Sequence, residues 1–487
     1  MRLNSIFVLV MLTLVSLATE AKDVYETPWK KGPVRVSDNH RYLQTADGKP
    51  FFWLGETAWL MPQRLNRDEV VFYLQTAAQN GYNMVQVQVM NGVPSINIYG
   101  EKSMVNGYDF AAFSNMPDRY TYWDHLDFII DQAARFGIYI GMVCIWGGNV
   151  KGGNINEEQA RAYGKFLAER YKVKPNIVWI MGGDIPGDIH PEVWDAMART
   201  IKSIDNTHLM SYHPRGRYTS ARWFNSREWL DFNMFQSGHR KYGQRMGNKD
   251  YPIPDNTEED NWMYVDSSFH YSPLKPTLDD EPSYEAIPVG LHDPDSAYWQ
   301  ACDVRRYAYW SVFAGSCGHT YGHCAIMQFH KPGTAPAYSS LDSIKPWYEA
   351  LKDPGFRQMK HLKTLMLAFP YFERVADQSV VVGNGKRYDR IAATRGTDYM
   401  LLYNYTGRAM TLDLTKISGK QKRALVYDPT TGRSFLLADK IDGKQKRYEV
   451  AARLMSHDYV VVVEDATKNY ERNLGFREVA EQRDRNE

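Results

Sequence analysis

Residues 177–184 read Ile177-Val178-Trp179-Ile180-Met181-Gly182-Gly183-Asp184, five apolar residues that run through two glycines into a carboxylate. A short, wholly apolar run of this kind fits a strand buried on both faces, as in a parallel sheet covered by helices. Asn156–Tyr171 before it and Pro191–Ile204 after it have the length of helices. Outward in both directions the alternation recurs, with strand candidates at Phe51–Gly55, Asn83–Val89, Ile138–Ile145, Leu209–His213, Phe232–Gln236, Pro276–Asp280 and His319–Cys324. Asn66 can cap a helix, with Glu69 placed for a capping box and Gly81 to close it. Tyr122–Phe136 ends at Gly137 in the same way, and Ser296–Phe313 precedes the last strand. Strand then helix, repeated eight times, predicts an α/β fold of the (β/α)8 TIM-barrel type. A doubly wound sheet is the alternative, but no Gly-rich phosphate fingerprint follows the first strand.

Ahead of the barrel, Ala46-Asp47-Gly48 supplies a hairpin turn between Arg41–Gln44 and Pro50–Trp53. Past Tyr371 the pattern changes to short alternating strands: Ser379–Val382, Arg390–Thr394, Tyr399–Tyr403, Met410–Leu414, Arg423–Tyr427, Ser434–Leu437, Tyr448–Val450 and Tyr459–Val463, with Gly-containing turns between them. That spacing predicts a C-terminal antiparallel β-sandwich. The chain therefore divides into residues 1–21, a 22–370 barrel, a 371–465 sandwich and a charged 466–487 tail expected to be loosely held. Residues 1–21 read as a signal peptide: Arg2, an apolar run from Ile6 to Leu17, then Ser16-Leu17-Ala18 or Thr19-Glu20-Ala21 as cleavage sites. The run is too short to span a bilayer, and with no Cys near the cleavage point a lipid anchor is not supported. The expected location is periplasmic or secreted, with no membrane insertion after the signal is removed.

Across 487 residues, 58 basic side chains balance 57 acidic ones, so there is no net field of the kind that holds nucleic acid. Aromatic residues make up 14%, with 33 Tyr and 13 Trp, a composition suited to clefts that stack against ring-shaped ligands as well as to large cores. Cys144, Cys302, Cys317 and Cys324 are too scattered for a zinc motif and too few for a disulfide framework. They read as small hydrophobes, with one disulfide conceivable.

A barrel of this kind carries its active site at the C-terminal strand ends. Alone, Asp184 after two glycines is an ordinary turn residue, and Glu281 after Asp279-Asp280 an ordinary loop acid. Together, on strands four and seven, they face each other across the barrel mouth. Glycoside hydrolysis needs such a pair, one carboxyl to protonate the leaving oxygen and one to attack or to activate water. Asp279 and Asp280 compete with Glu281, and alternation puts Asp279 inward but deeper. Gln86 and Gln88 share a face of strand two, which makes Gln88 a candidate for a sugar hydroxyl. Glu56 is a third acid at the mouth, and Trp59 belongs to the aromatic rim. His213 ends strand five, Gln236-Ser237-Gly238-His239 ends strand six, and His319-Thr320-Tyr321-Gly322-His323 occupies strand eight, so His213, Gln236, His239, Tyr321 and His323 complete the expected substrate-binding set. Several His at strand ends could instead form a metal centre, but strand one lacks His-x-His. The expected metal and cofactor are none.

The chain resembles glycoside hydrolase family 140, bacterial exported enzymes with apiosidase action on pectin side chains. The resemblance rests on Phe51-Phe52-Trp53-Leu54-Gly55-Glu56-Thr57-Ala58-Trp59, Val178–Asp184, Gln236–His239, Lys275-Pro276 through Asp280-Glu281-Pro282 with Tyr284-Glu285, and Gly318–Gly322. It implies Asp184 as acid/base and Glu281 as nucleophile, retention of configuration from a carboxyl separation of about 5–5.5 Å, and an oligosaccharide as partner. Glu56 departs from the Asp the family leads one to expect. The stretch around Tyr427-Asp428-Pro429 resembles a sandwich named for collagen binding. Two other functions compete: a non-catalytic glycan or matrix binder, which has no need of two opposed acids, and a metal-dependent barrel hydrolase. The sequence leaves the oligomeric state open.

Overall fold

A computed structural model of the chain describes residue 25 and residues 27–474, apart from 111, 114–117, 245–258, 292, 294 and 338–343. The expected signal peptide lies outside the described residues, as does the tail beyond 474. Eight parallel strands form the barrel: β1 (Trp53–Thr57), β2 (Met84–Gln88), β3 (Tyr139–Val143), β4 (Ile177–Ile185), β5 (Met210–Pro214), β6 (Asn233–Gln236), β7 (Thr277–Asp279) and β8 (Gly318–Tyr321). The ladder runs continuously from β5 back through β1 and on to β6, and a short antiparallel strand, Tyr218–Thr219, pairs with β6. Closure between β5 and β6 uses Asp231 N–H to Met210 O at 2.9 Å and Ser211 Oγ to Phe232 O at 2.7 Å.

The helices form where caps and apolar stripes agree. Asn66, Thr121 and Asn156 each accept from the N3 backbone while the N3 side chain reaches back, giving full capping boxes for α1 (Arg67–Gln79), α2 (Tyr122–Arg135) and α3 (Glu157–Tyr171). Each such cap stabilises its helix by about 1 kcal/mol. Buried residues on α3 are Ala160, Tyr163, Gly164, Leu167, Ala168 and Tyr171, the i, i+3, i+4 stripe of a helix laid on a sheet. Pro191 and Pro354 start α4 (Pro191–Ile204) and α7 (Pro354–Leu367), with α5 (Trp262–Phe269) and α6 (Ala301–Phe313) between them. The expected helix from Ser296 begins only at Ala301, where Gln300 and Asp303 close a box. Ahead of the barrel, Leu43–Gln44 and Pro50–Phe51 pair around the 46–48 turn, and Arg35–Val36 adds a third strand.

The sandwich has a six-stranded and a three-stranded antiparallel sheet. Its central strands, Tyr399–Asn404, Gln421–Tyr427 and Tyr459–Asp465, are wholly apolar over 399–403, 424–427 and 459–463, where both faces are covered. Tyr399, Leu401, Tyr403, Leu425, Tyr427, Val460 and Val462 join the barrel's core, while Met400, Leu402, Ala424, Val426, Val461 and Val463 pack against the smaller sheet. Period-two alternation thus splits one sheet between two cores. The first expected sandwich strand, Ser379–Val382, is in fact a 3-10 turn over Gln378–Val380 followed by two strand residues. None of the four cysteines is in a disulfide. The tail expectation needs correction as far as Leu474: Tyr470–Leu474 forms a 3-10 turn, Leu474 is buried, and Arg423 Nη1 lies 2.5 Å from Glu471 Oε1.

Polar fasteners cross the same interface. Arg305 on α6 donates to Asp458 through Nε at 2.9 Å and Nη2 at 2.5 Å, Tyr403 Oη donates to the same carboxylate at 2.9 Å, and the Tyr309 and Tyr403 rings stack at 4.6 Å. With side chains 5% and 1% exposed, neither ion could stand alone. Removing one partner of a buried pair costs about 3–5 kcal/mol, so Asp458→Ala should lower stability by that amount in urea unfolding; a loss under about 1 kcal/mol would mean the pair does not fasten the two units.

Candidate active site

The acid on β4 is placed by backbone strain. The β4–β5 register jumps from Gly182 opposite His213 to Ile185 opposite Pro214, and Gly182, Gly183 and Asp184 all have positive φ, at 86°, 112° and 56°. A Cβ on Gly182 would lie 2.3 Å from His213 O, and one on Gly183 2.8 Å from Gly147 N and from the Trp146 ring. Only glycine fits either position, and the resulting bulge turns Asp184 off the sheet and into the mouth. Asp184 lines the cavity and keeps an exposed side at its mouth, while protein packs closely around the rest of it. That enclosure raises its pKa, the charge of Glu281 raises it further, and His213, Arg215 and His239 oppose the rise.

Glu281 follows β7 by two residues. Asp280 N–H donates to Phe235 O at 3.0 Å and Gly238 N–H to Glu281 O at 3.1 Å, so the exits of β6 and β7 brace one another. The Glu281 carboxylate meets two imidazoles. His239 Nε2 is 3.3 Å from Oε1, and since His239 Nδ1 accepts from Tyr284 N–H at 3.4 Å, the Nε2 proton points at the carboxylate. His213 Nε2 is 3.1 Å from Oε2, a close ion-pair contact rather than an aligned hydrogen bond. Burial alone would raise the Glu281 pKa, but the contacts with the two imidazoles, His213 first and then His239, outweigh it and hold the group well below the usual carboxylate range.

Both carboxyls line a cavity of about 340 Å³, the low end of the range for small-molecule sites. Trp59, Trp146 and Tyr284 supply its aromatic surface, with Trp59 Nε1–H donating to Tyr284 Oη at 3.1 Å and the two indoles 5.5 Å apart. Gln236 and His239 contribute polar groups, and Arg215, Arg217 and Arg240 line another part of the wall.

Of the residues expected from sequence, Asp184, Glu281, Trp59, Gln236 and His239 line this cavity, and His213 stands directly behind Glu281. Glu56, Gln88, Tyr321 and His323 do not line it. Glu56 and Tyr321 are opposite one another in the β1–β8 ladder and share the outward face. Glu56 accepts from Tyr73 Oη on α1, and Tyr321 Oη donates to Glu285 Oε2 at 2.5 Å. Cut off from solvent there, Glu56 has a strongly raised pKa, with the bond from Tyr73 opposing. His323 binds Asp353 at 2.9 Å and accepts from Ala325 N–H at 3.0 Å, a satisfied buried residue. Gln88 is fully buried and its backbone N–H donates to Trp59 O at 2.9 Å. Asp279 points outward, not inward, and accepts from Ser237 Oγ at 2.6 Å and Asn261 Nδ2 at 3.0 Å; burial pushes its pKa up to about 7. Trp146, Tyr284 and the three arginines were missed, although Trp146 leaves β3 just ahead of Gly147-Gly148, the same strand-exit signal that marks Asp184. Among the described residues no cluster of three or more His, Cys, Asp or Glu side chains is arranged to hold a metal ion.

Residues 37–373 match the family described as "Apiosidase-like, catalytic domain". The chain belongs to the apiosidase-like family. Residues 375–464 match a second family, described as "Putative collagen-binding domain of a collagenase". A solved structure named "Glycoside hydrolase" is 56% identical over 92% of this chain and 100% of its own, with a TM-score of 0.87. A glycoside hydrolase family 5 structure from Bacteroides vulgatus is 59% identical over 91% of this chain and 96% of its own, with a TM-score of 0.87. Among curated proteins none matches. The apiosidase-like chain is thus a glycoside hydrolase, and its substrate is a carbohydrate.

The strained exit of β4 makes this apiosidase-like site fragile. Gly182→Ala should cost about 1–3 kcal/mol and displace Asp184, measured as a lower Tm together with lost turnover. A variant with unchanged melting and full activity would show that the bulge tolerates a Cβ.

Proposed function

We propose that this glycosidase is a retaining enzyme of glycoside hydrolase family 140 that cleaves pectic oligosaccharides in an apiosidase-like reaction, with Glu281 as nucleophile and Asp184 as acid/base. The observation that carries this reading is the opposite tuning of the two carboxyls on one cavity: Asp184 is pushed toward its protonated form and Glu281 toward its ionised form. Two carboxyls whose environments drive them apart divide the acid and base roles between them.

In the first step a Glu281 oxygen bonds to the anomeric carbon as the glycosidic bond breaks, and the Asp184 proton passes to the leaving oxygen. In the second, Asp184 takes a proton from water, the water oxygen bonds to the anomeric carbon, and the bond to Glu281 breaks, so configuration is retained and both side chains return to their starting forms. Trp59, Trp146 and Tyr284 offer faces for a sugar ring. Arg240, half-buried on the cavity wall, suits a glycan that carries carboxylates, as pectic chains do. The signal-like first 21 residues suit an enzyme exported to the periplasm or beyond, where such polymers are met. For the sandwich we propose a stabilising role, since one face of its main sheet is spent on the barrel.

Asp184→Asn and Glu281→Gln preserve volume and should each lose on the order of 10²–10⁴ or more in turnover on rhamnogalacturonan fragments bearing branched pentoses. Retention of more than about a tenth of the wild-type rate would refute the assigned role. Proton NMR of the first-formed product reads the stereochemistry directly, and an inverted anomer would refute retention.

The pH profile follows from the shifts. Glu281 must be ionised and Asp184 protonated, so the acidic limb of kcat/KM belongs to Glu281 and, lowered, lies far to the acid side. The alkaline limb belongs to Asp184 and, raised, extends toward neutral pH. On an aryl glycoside whose leaving group needs no proton, Asp184→Ala should flatten the alkaline limb and leave the acidic one. An alkaline limb that survives in this variant would mean that another group is the acid.

A further inference from the structure

Directly behind the nucleophile, His213 is sandwiched between two carboxylates. Its Nδ1 is 2.5 Å from Asp280 Oδ2 and its Nε2 is 3.1 Å from Glu281 Oε2, and both His213 and Asp280 have fully buried side chains. The Trp59 and Trp146 rings cover the imidazole, with centroids 5.3 and 5.6 Å away. A neutral imidazole has one N–H. With both nitrogens against carboxylate oxygens, a neutral ring would set a lone pair against a lone pair at one end. Both contacts are favourable only when both nitrogens carry protons.

Resting on the reading of Glu281 as nucleophile, we propose that Asp280 is a positioning residue that fixes His213 as an imidazolium, and that this buried cation decides which of the two catalytic carboxyls holds their single proton. Asp184 and Glu281 face one cavity and each disfavours ionisation of the other. A fixed positive charge against Glu281 stabilises the arrangement with the proton on Asp184. Without it the inverted arrangement, proton on Glu281 and charge on Asp184, gains population, and that form can neither attack nor donate. His239 is held differently: its Nδ1 accepts from Tyr284 N–H and its Nε2 meets Glu281, so a ring with one proton already satisfies both contacts.

The charged and titratable groups that face His213 are Asp280 and Glu281 from the β7 exit, Asp184 from β4 and His239 from β6, with Arg215 beyond it on its own strand's exit. Burial opposes the charge on His213, but Asp280 and then Glu281 outweigh it and push the imidazole up to about 10, while burial leaves Asp280 at about 6. At neutral pH the proton between those two therefore sits on the ring.

The test uses the full-length enzyme with ¹⁵N-labelled histidine, the His213 signals being assigned by their loss in His213→Gln. In the wild type both ring nitrogens of His213 should stay protonated from pH 5 to 9. In Asp280→Asn the amide still meets Nδ1 but carries no charge, and His213 should lose a proton within that range. The kcat/KM profile of the variant should then acquire an extra step, about tenfold or more, at the pH where His213 titrates. A merely structural role would lower the rate by one factor at every pH. A wild-type His213 with a single N–H across this range, a variant ring that stays doubly protonated, or a uniform loss of rate would each overturn the proposal. Should Asp280→Asn not fold, the wild-type spectrum decides alone. An enzyme that turns over no glycoside while its His213 shows two N–H signals would sink the functional reading and leave the charge assignment standing.

Discussion

The structure depends on keeping a carboxylate charged where the protein covers nearly all of it. Glu281 is 7% exposed, under Trp59 and Trp146 and beside Tyr284, where an isolated carboxylate would take up a proton rather than stay ionised. Two imidazoles reverse that preference, and each is held by a further element. His213 ends β5 and is tied to Asp280, while His239 leaves β6 and is tied to the Tyr284 backbone. Three strand exits must therefore keep their spacing to within a fraction of a hydrogen bond. The Gly238–Glu281 and Asp280–Phe235 backbone bonds and the Ser283 Oγ bond to Gly238 O serve that end.

The same demand explains what lies outside the cavity. Glu285, two residues past Ser283, accepts from Tyr321 Oη and from Gly355 N–H, which links the β7 exit to β8 and to the start of α7. Asp279 links β7 to Ser237 and, through Asn261, to Tyr307 O on α6. On the far side of α6, Arg305 meets Asp458 of the sandwich, and Arg306 Nη2 meets Glu259 at 2.7 Å with both side chains fully buried. The second domain thus braces a helix that braces the nucleophile's strand, and it stays continuous with the barrel core through Tyr403 and Tyr309.

The fold was legible because its two periodicities are strong. Ile177–Met181 is apolar at every position since both faces of β4 are covered, and Asn66, Thr121 and Asn156 announce helix starts by local chemistry that tertiary packing did not override. The site was legible where one rule sufficed: residues leaving β4, β6 and β7 line the cavity. It failed where the face of a strand had to be known. Glu56 and Tyr321 sit near the ends of β1 and β8, but a shift of one residue along a strand exchanges inside for outside, and no sequence feature sets that phase. Glu56 lies between Gly55 and Thr57 on the outward phase and is drawn to Tyr73 on α1. Asp279 was misjudged for the same reason, and Asp280 was read as a rival to Glu281 when it acts on it through His213. That relation joins residues 67 apart and exists only once β5 and β7 are brought to the same end of the barrel.

Desolvation acts on both catalytic carboxyls and pushes both toward the protonated form, so burial by itself would give two acids and no nucleophile. What separates them is the company each keeps. Asp184, turned into the mouth by a glycine bulge, makes no ion pair among the described residues, and the strongest charge it feels is the negative one on Glu281. Glu281 sits against His213 and His239 at contact distance and goes the other way. The asymmetry needed for catalysis therefore comes less from the two acids than from the backbone that places them. A Gly-Gly turn holds one acid clear of its strand, and a short, tightly braced exit presses the other onto two imidazoles.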